Sequence, residues 1–162
     1  MMDTQRELIQ RELLERKERI LRFMRDGAYK PLNFEELAVV LDVPQNDREL
    51  LRYVLEELES EGAIYRTKKD RYGVPERMNL IVGRFQGNER GYGFLIPDSE
   101  TEGDVFIPAD GTNGAMHNDR VIVRPLGLSL QGKRLEGEVI RVFERANTRV
   151  VGVYEEVNRH FG

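Results

Sequence analysis

The 162-residue sequence contains no cysteine and only two histidines. Without cysteine, the chain can form neither a disulfide framework nor a thiolate metal site. His117 and His160 lie far apart in the sequence, with no ligand-like spacing around either, which argues against a histidine metal site. We therefore expect this chain to hold no metal ion or other cofactor.

Long apolar runs are missing as well. No stretch approaches the roughly 20 apolar residues of a membrane-spanning helix, and the start of the chain, MMDTQRELIQRELLERKERI, is too charged for a secretory signal. We expect a cytoplasmic protein with no membrane partner. The hydrophobic content of 40% and the charged content of 33% are typical of a globular chain with one ordinary domain or two small ones.

A net excess of positive charge occurs in only one segment. The formal net charge is −4, which argues mildly against a surface that attracts polyanions everywhere. Residues 63–79 carry five basic and two acidic side chains, whereas residues 1–62 carry ten basic and fifteen acidic ones. The distribution indicates a local basic surface.

Residues 1–79 are predicted to form three helices and a hairpin. Acid-before-base pairs at i,i+4 spacing predict a first helix over about residues 5–26. A glutamate three residues after Asn33, and another three residues after Asn46, predict capping boxes that start the second and third helices. The segments AIYRT and YGVP then flank KKDR as two short strands around a basic loop. Three helices followed by a hairpin is the winged-helix arrangement.

The basic loop has two interpretations. In a nucleic-acid-binding wing, Lys68, Lys69 and Arg71 contact phosphate groups; otherwise the loop is a solvated turn that happens to be basic. The third helix is poorly suited to reading duplex DNA, because four glutamates between residues 56 and 61 would repel the phosphates beside a major groove. Sequence-specific DNA binding is therefore disfavoured.

Residues 80–146 differ from the first part of the chain in being rich in short β-forming runs. Five β-rich runs occupy about 65 residues, namely LIVGRF, YGFLIP, DVFIP, RVIVRPL and LEGEVIRVF. This number and spacing predict a five-stranded β-barrel of the OB type. The predicted fold is therefore α+β, with an N-terminal winged helix-turn-helix domain followed by an OB-fold barrel.

Strand alternation assigns the aromatic residues of two of these runs to one face. If Val105 and Leu95 fill the barrel, then Phe106, Tyr92 and Phe94 point outward. Such rings form a platform on which unpaired bases can stack, with Arg90 close enough to contact a phosphate. The alternative is that Tyr92 and Phe94 belong to the core and Leu95 lies outside, since large aromatic side chains are more often buried than displayed.

The same segments resemble the two ribonucleoprotein motifs of cold-shock domains. RGYGFLIP is similar to a motif with a Lys-Gly-Phe-Gly-Phe core, so that Arg90 stands for the lysine, and DVFIP is similar to one with a Val-Phe-Val-His core. The resemblance implies that Tyr92, Phe94 and Phe106 bind RNA. It also implies an RNA-binding role for Phe85, which stands where such domains usually have tryptophan. Pro108 replaces the histidine of the second motif and removes one stacking ring.

A more specific resemblance covers nearly the whole chain. GAMHNDRVIVRP, after the second motif, resembles the first cold-shock domain of the ribonuclease R family, in which a winged helix precedes that domain. The resemblance implies a 3′→5′ exoribonuclease with two cold-shock domains, a magnesium-dependent catalytic domain and an S1-type OB domain. This chain has no match to the catalytic part. It is expected to bind single-stranded or structured RNA for the rest of a parent ribonuclease, without activity of its own.

An internal repeat points to a fragment. The segment VGRFQGNERGYG at 82–93 aligns without gaps with VGVYEEVNRHFG at 151–162. We expect residues 147–162 to be the incomplete start of a second cold-shock domain. Two other functions stay open, a protein-docking or regulatory module and a free-standing DNA-binding regulator.

Overall fold

The computed structural model describes residues 2–99, 103–128 and 134–146. By their internal contacts the residues divide into two units, one ending at Met78 and one beginning at Asn79. The predicted start of a second cold-shock domain, residues 147–162, lies outside the described residues.

The first unit contains three helices and a hairpin, as predicted. Its elements are α1 (Met2–Arg25), α2 (Phe34–Val40), α3 (Arg48–Ser60), β1 (Tyr65–Arg66) and β2 (Tyr72–Gly73). The two strands pair antiparallel, and Leu32 adds an isolated bridge to Tyr72. None of the helices in the described residues is long and apolar enough to cross a membrane.

Only one of the two predicted capping boxes is present. At the start of α2, the Glu36 amide donates to Asn33 Oδ1 at 2.8 Å and the Asn33 amide donates to Glu36 Oε1 at 3.0 Å. The second prediction is wrong, because Asn46 lies inside a turn of 3₁₀ helix, Gln45–Asp47, and α3 begins only at Arg48. The chain enters this turn from Pro44, whose carbonyl accepts from the Asp47 amide at 2.9 Å, so Asn46 is not at a helix start.

The helices bury one apolar face each. Residues exposed by 1% or less come from all three helices and from the hairpin segment, among them Met24, Leu37, Val54, Leu58, Ile64 and Val74. The start of α1 does not join this core, since Leu8, Ile9 and Leu14 are more than half exposed. An ion pair of 2.6 Å from Lys17 Nζ to Glu61 Oε2 holds the middle of α1 to the end of α3.

The second unit is a closed five-stranded barrel, as predicted. Its strands are β3 (Ile81–Gly87), β4 (Gly93–Pro97), β5 (Val105–Ile107), β6 (Arg120–Leu128) and β7 (Leu135–Glu144). They close in the order β3-β4-β5-β7-β6, with β5 and β7 parallel and the other pairs antiparallel. This is the OB arrangement, and alternate residues of every strand fill the barrel.

A buried carboxylate fixes the chain after β7. Asp119 is fully buried, and its oxygens accept from the Met116 amide, the Ala146 amide and Arg145 Nη1, each at 2.9 Å. A buried charge is stable only when it is paired and hydrogen-bonded in this way. Asp119 therefore joins the loop before β6 to the end of β7.

Candidate nucleic-acid interface

Three aromatic rings form a cluster on the outer face of the barrel. Phe94 on β4 lies directly opposite Phe106 on β5, and Tyr92 immediately precedes β4. The ring centroids are 5.6 Å apart for Phe94 and Phe106, 5.6 Å for Tyr92 and Phe106, and 6.2 Å for Tyr92 and Phe94. The neighbours Leu95 and Val105 point inward and are at most 1% exposed, whereas the three rings are half-buried. The predicted outward face is confirmed, and the core interpretation of Tyr92 and Phe94 is wrong.

The rings of this aromatic cluster are not coplanar. The interplanar angles are 86° between Tyr92 and Phe94, 48° between Tyr92 and Phe106, and 61° between Phe94 and Phe106. A flat base can lie parallel to one ring at a time, while a neighbouring ring meets its edge. The cluster is therefore a set of separate stacking positions and not one continuous plane.

Phe85 does not belong to this surface. Its side chain is 2% exposed and packs in the barrel core with Ile107 and Val121. The burial of Phe85 argues against the predicted RNA contact, since a buried ring has no face to offer a base. The physical reason is strand alternation on β3, where Ile81, Gly83 and Phe85 all face inward.

Arg90 lies in the turn that leads from β3 to β4. The Gly91 amide donates to the Asn88 carbonyl at 3.0 Å, and the Arg90 amide donates to Asn88 Oδ1 at 2.7 Å. Gly91 has φ of +98°, a backbone conformation that a residue with a side chain rarely adopts. The Arg90 side chain is exposed, next to Tyr92 in the chain, so it is accessible to a phosphate.

A second arginine near the rings was missed by the sequence reasoning. Arg134, just before β7, places its Cζ atom 5.1 Å from the centroid of the Phe94 ring. The two residues are distant in the sequence and come together because β7 pairs in parallel with β5, where Glu136 lies opposite Phe106. No pattern of neighbouring residues in the sequence predicts such a contact.

The three predicted cations of the hairpin loop in the first unit differ in their contacts. Lys68 and Lys69 are exposed. The Arg71 side chain forms hydrogen bonds inside the first unit. Its Nη1 donates to the Pro31 carbonyl at 3.2 Å and to Glu36 Oε1 at 3.3 Å. A phosphate would have to compete with these acceptors for Arg71, so Lys68 and Lys69 are the better candidates for phosphate contact.

The arginines of α3 are also used inside the first unit. Arg48 Nη1 lies 2.7 Å from Glu35 Oε1, and the Arg52 guanidinium lies over the Phe34 ring with Cζ 4.1 Å from its centroid. Glu56 on the same helix is exposed. Glu59, by contrast, is only 8% exposed and pairs with Arg66 at 3.2 Å, so the structure disfavours α3 as a DNA-reading helix mainly because its two arginines are already engaged within the first unit. Among the described residues, no group of three or more histidine or acidic side chains is arranged to hold a metal ion.

Comparison with known proteins identifies relatives of both units. Residues 83–142 match the family described as the ribonuclease B OB domain. The chain is 32% identical to ribonuclease R of Acidithiobacillus ferrooxidans over 95% of the chain and 34% of that protein. It is 32% identical to ribonuclease R of Escherichia coli over 77% of the chain and 15% of that protein, and 36% identical to ribonuclease R of Thermotoga maritima over 86% and 19%. The chain thus spans only about a third, or less, of the length of these relatives.

Proposed function

The chain belongs to the ribonuclease R family, and we propose that it is the RNA-binding part of a cytoplasmic 3′–5′ exoribonuclease. In this proposal it captures single-stranded or structured RNA and delivers it to a hydrolytic domain elsewhere in the parent protein. Magnesium would belong to that catalytic domain, and this chain would hold no cofactor and have no nuclease activity by itself.

The observation that carries the proposal is the aromatic cluster on the outer face of the OB barrel. Tyr92, Phe94 and Phe106 are half-buried, which fixes their orientation while leaving part of each ring accessible. Unpaired bases stack on such rings with about 1–3 kcal/mol for each base, whatever their sequence. The exposed Arg90, near Tyr92 in the chain, and the exposed loop lysines of the first unit supply charge that attracts the RNA backbone.

A second candidate is a protein-docking role for the first unit. It is favoured by the exposed apolar side chains at the start of α1, where Leu8, Ile9 and Leu14 are 55%, 67% and 58% exposed. In that case the barrel would act only as a spacer, and the chain would have no measurable affinity for RNA.

A salt titration of RNA binding distinguishes the two candidates. The dissociation constant of a fluorescent single-stranded RNA would be measured between about 50 and 200 mM salt, beside a duplex of equal length. We expect tighter binding to the single strand and a negative slope of log affinity against log salt. No binding, or a slope of zero, would favour the docking role. Magnesium-dependent release of nucleotides by the purified chain, free of contaminating nuclease, would contradict the assignment of catalysis to another domain.

A further inference from the structure

Arg134 covers part of the surface on which a base would be expected to stack. Its guanidinium lies over the Phe94 ring, with 5.1 Å from Cζ to the ring centroid, within the range of a cation–π interaction. Tyr92 and Phe106 contact the same ring at steep angles of 86° and 61°. A base therefore cannot lie directly on the part of Phe94 that Arg134 occupies unless the arginine leaves.

The chemistry of the guanidinium offers a different arrangement. The group is planar and weakly hydrated, so it can stack on an aromatic ring with one face and on a base with the other. Its N–H groups lie in that plane and point sideways, in the direction from which they can donate to a phosphate oxygen. Arg134 is exposed, so its outer face is accessible to a ligand.

This inference rests on the proposed function. We propose that Arg134 is a nucleotide-binding residue that forms the middle layer of a stack, with the Phe94 ring on one side and an RNA base on the other. Its N–H groups donate to the phosphate next to that base. Phe94 then acts on this nucleotide by positioning Arg134, while Tyr92 and Phe106 remain available for neighbouring bases.

The proposal requires both the positive charge and the planar guanidinium of Arg134. Two substitutions test these two features separately. Arg134→Lys keeps the positive charge but removes the planar group, and Arg134→Ala removes both. Arg124→Ala is the matched control. Arg124 is an exposed arginine on β6, a strand that pairs with neither β4 nor β5, and it forms an ion pair with Glu138 at 2.9 Å.

The experiment measures the affinity of the full chain for an oligouridine of about 12 nucleotides, a length that spans one OB fold. We expect Arg134→Ala to weaken binding about five-fold, the equivalent of one cation–π contact of about 1 kcal/mol. Arg134→Lys should weaken binding measurably but less than Arg134→Ala, because it loses the planar group and keeps the charge, and it should keep the salt slope of the unaltered chain. Arg124→Ala should leave the affinity within error, and thermal melting should be the same for all four proteins.

The outcomes separate this inference from the proposed function. If the unaltered chain binds RNA and Arg134→Lys binds equally well, only charge matters and the stacked arrangement is overturned. If Arg134→Ala behaves like Arg124→Ala, or binds more tightly because Phe94 is uncovered, Arg134 is not a nucleotide-binding residue. If the unaltered chain does not bind RNA at all, the proposed function fails and the role of Arg134 fails with it.

Discussion

Gly93 lies against the ring of Phe85, and a Cβ atom at Gly93 would be 2.4 Å from Phe85 Cζ. Gly93 faces inward on β4, between the outward-facing Tyr92 and Phe94. The absent side chain leaves room in the barrel for the Phe85 ring of the adjacent strand. The alternation of glycine and aromatic residues thus serves two purposes, since the glycine admits a core ring and the aromatic side chains form the outer cluster.

Replacing Gly93 by alanine is expected to destabilise the barrel. The added methyl group meets a ring held in a packed core, and overpacking of this kind costs about 1–3 kcal/mol of unfolding free energy. Denaturant unfolding would measure the loss, with Gly103→Ala as the control, because a Cβ at Gly103 has nothing within 4 Å. Combining Gly93→Ala with Phe85→Leu should cost less than the two single losses added together. Full additivity would mean that the two residues do not compete for space.

The sequence predicted the elements whose signals are local. The capping box at Asn33 and the five β-rich runs depend on residues a few positions apart, and the structure contains them all. Strand alternation also predicted that Leu95 and Val105 face inward. Successive side chains of a strand point to opposite faces, so their aromatic neighbours then lie on the outer face. The second capping box failed because Pro44 leads into a 3₁₀ turn, which a pattern at Asn46 and Glu49 does not reveal.

The misses at the candidate site have a different cause. The resemblance to cold-shock domains places Phe85 on the RNA surface, where such domains have tryptophan, whereas strand alternation on β3 places its side chain in the barrel core. Arg134 was overlooked because its contact with Phe94 depends on the parallel pairing of β5 and β7. Contacts between strands that are distant in the sequence follow from the closure of the barrel, so they become visible only with the topology.

Substitutions at two adjacent residues of β4 should have different effects, one mainly on RNA affinity and the other mainly on stability. Phe94→Ala is expected to weaken single-strand binding by about 1–3 kcal/mol, because the stack that Phe94 supports through Arg134 is lost, with a small change in melting temperature. Leu95→Ala should cost about 2–5 kcal/mol of stability, because it empties a site in the barrel core. Binding of each variant would be measured under conditions where it remains folded. A Phe94→Ala variant that lost as much stability as Leu95→Ala would show that its ring is mainly a structural residue.

The exposed lysines of the hairpin loop are expected to contact phosphates without reading sequence. Changing both Lys68 and Lys69 to alanine should weaken binding equally for different RNA sequences and reduce the salt slope by roughly 0.7 for each phosphate that is no longer neutralised. Arg71→Ala should instead lower the stability of the first unit, by roughly 1 kcal/mol, because its hydrogen bonds to the Pro31 carbonyl and Glu36 disappear. An unchanged salt slope in the double lysine variant would show that the loop is a solvated turn that does not contact phosphates.

Lys17 is expected to make the stability of the first unit depend on alkaline pH. Its Nζ lies 2.6 Å from Glu61 Oε2 and 3.6 Å from Glu57 Oε1. Burial alone would lower the pKa of Lys17, but the hydrogen bonds and negative charges of Glu61 and Glu57 outweigh it, so the pKa is raised above the ordinary value of 10.5. The pKa of Tyr29 is also raised, by burial, and its hydroxyl donates to the Tyr72 carbonyl at 2.6 Å.

Both shifts have the same sign, since the folded state holds each proton more tightly than the unfolded state does. Their stabilisation is fully present below the unfolded pKa values of about 10 and is lost as the pH rises through the folded ones. Urea unfolding followed by the helical circular dichroism signal should therefore give a constant free energy up to about pH 10 and a decline above it. The Lys17→Met variant should have a lower free energy of unfolding at neutral pH and a smaller decline above about pH 10. The Lys30→Met variant, which loses an exposed lysine, should show the same pH dependence as the unaltered chain. Equal declines in all three proteins would assign the alkaline loss to groups other than Lys17.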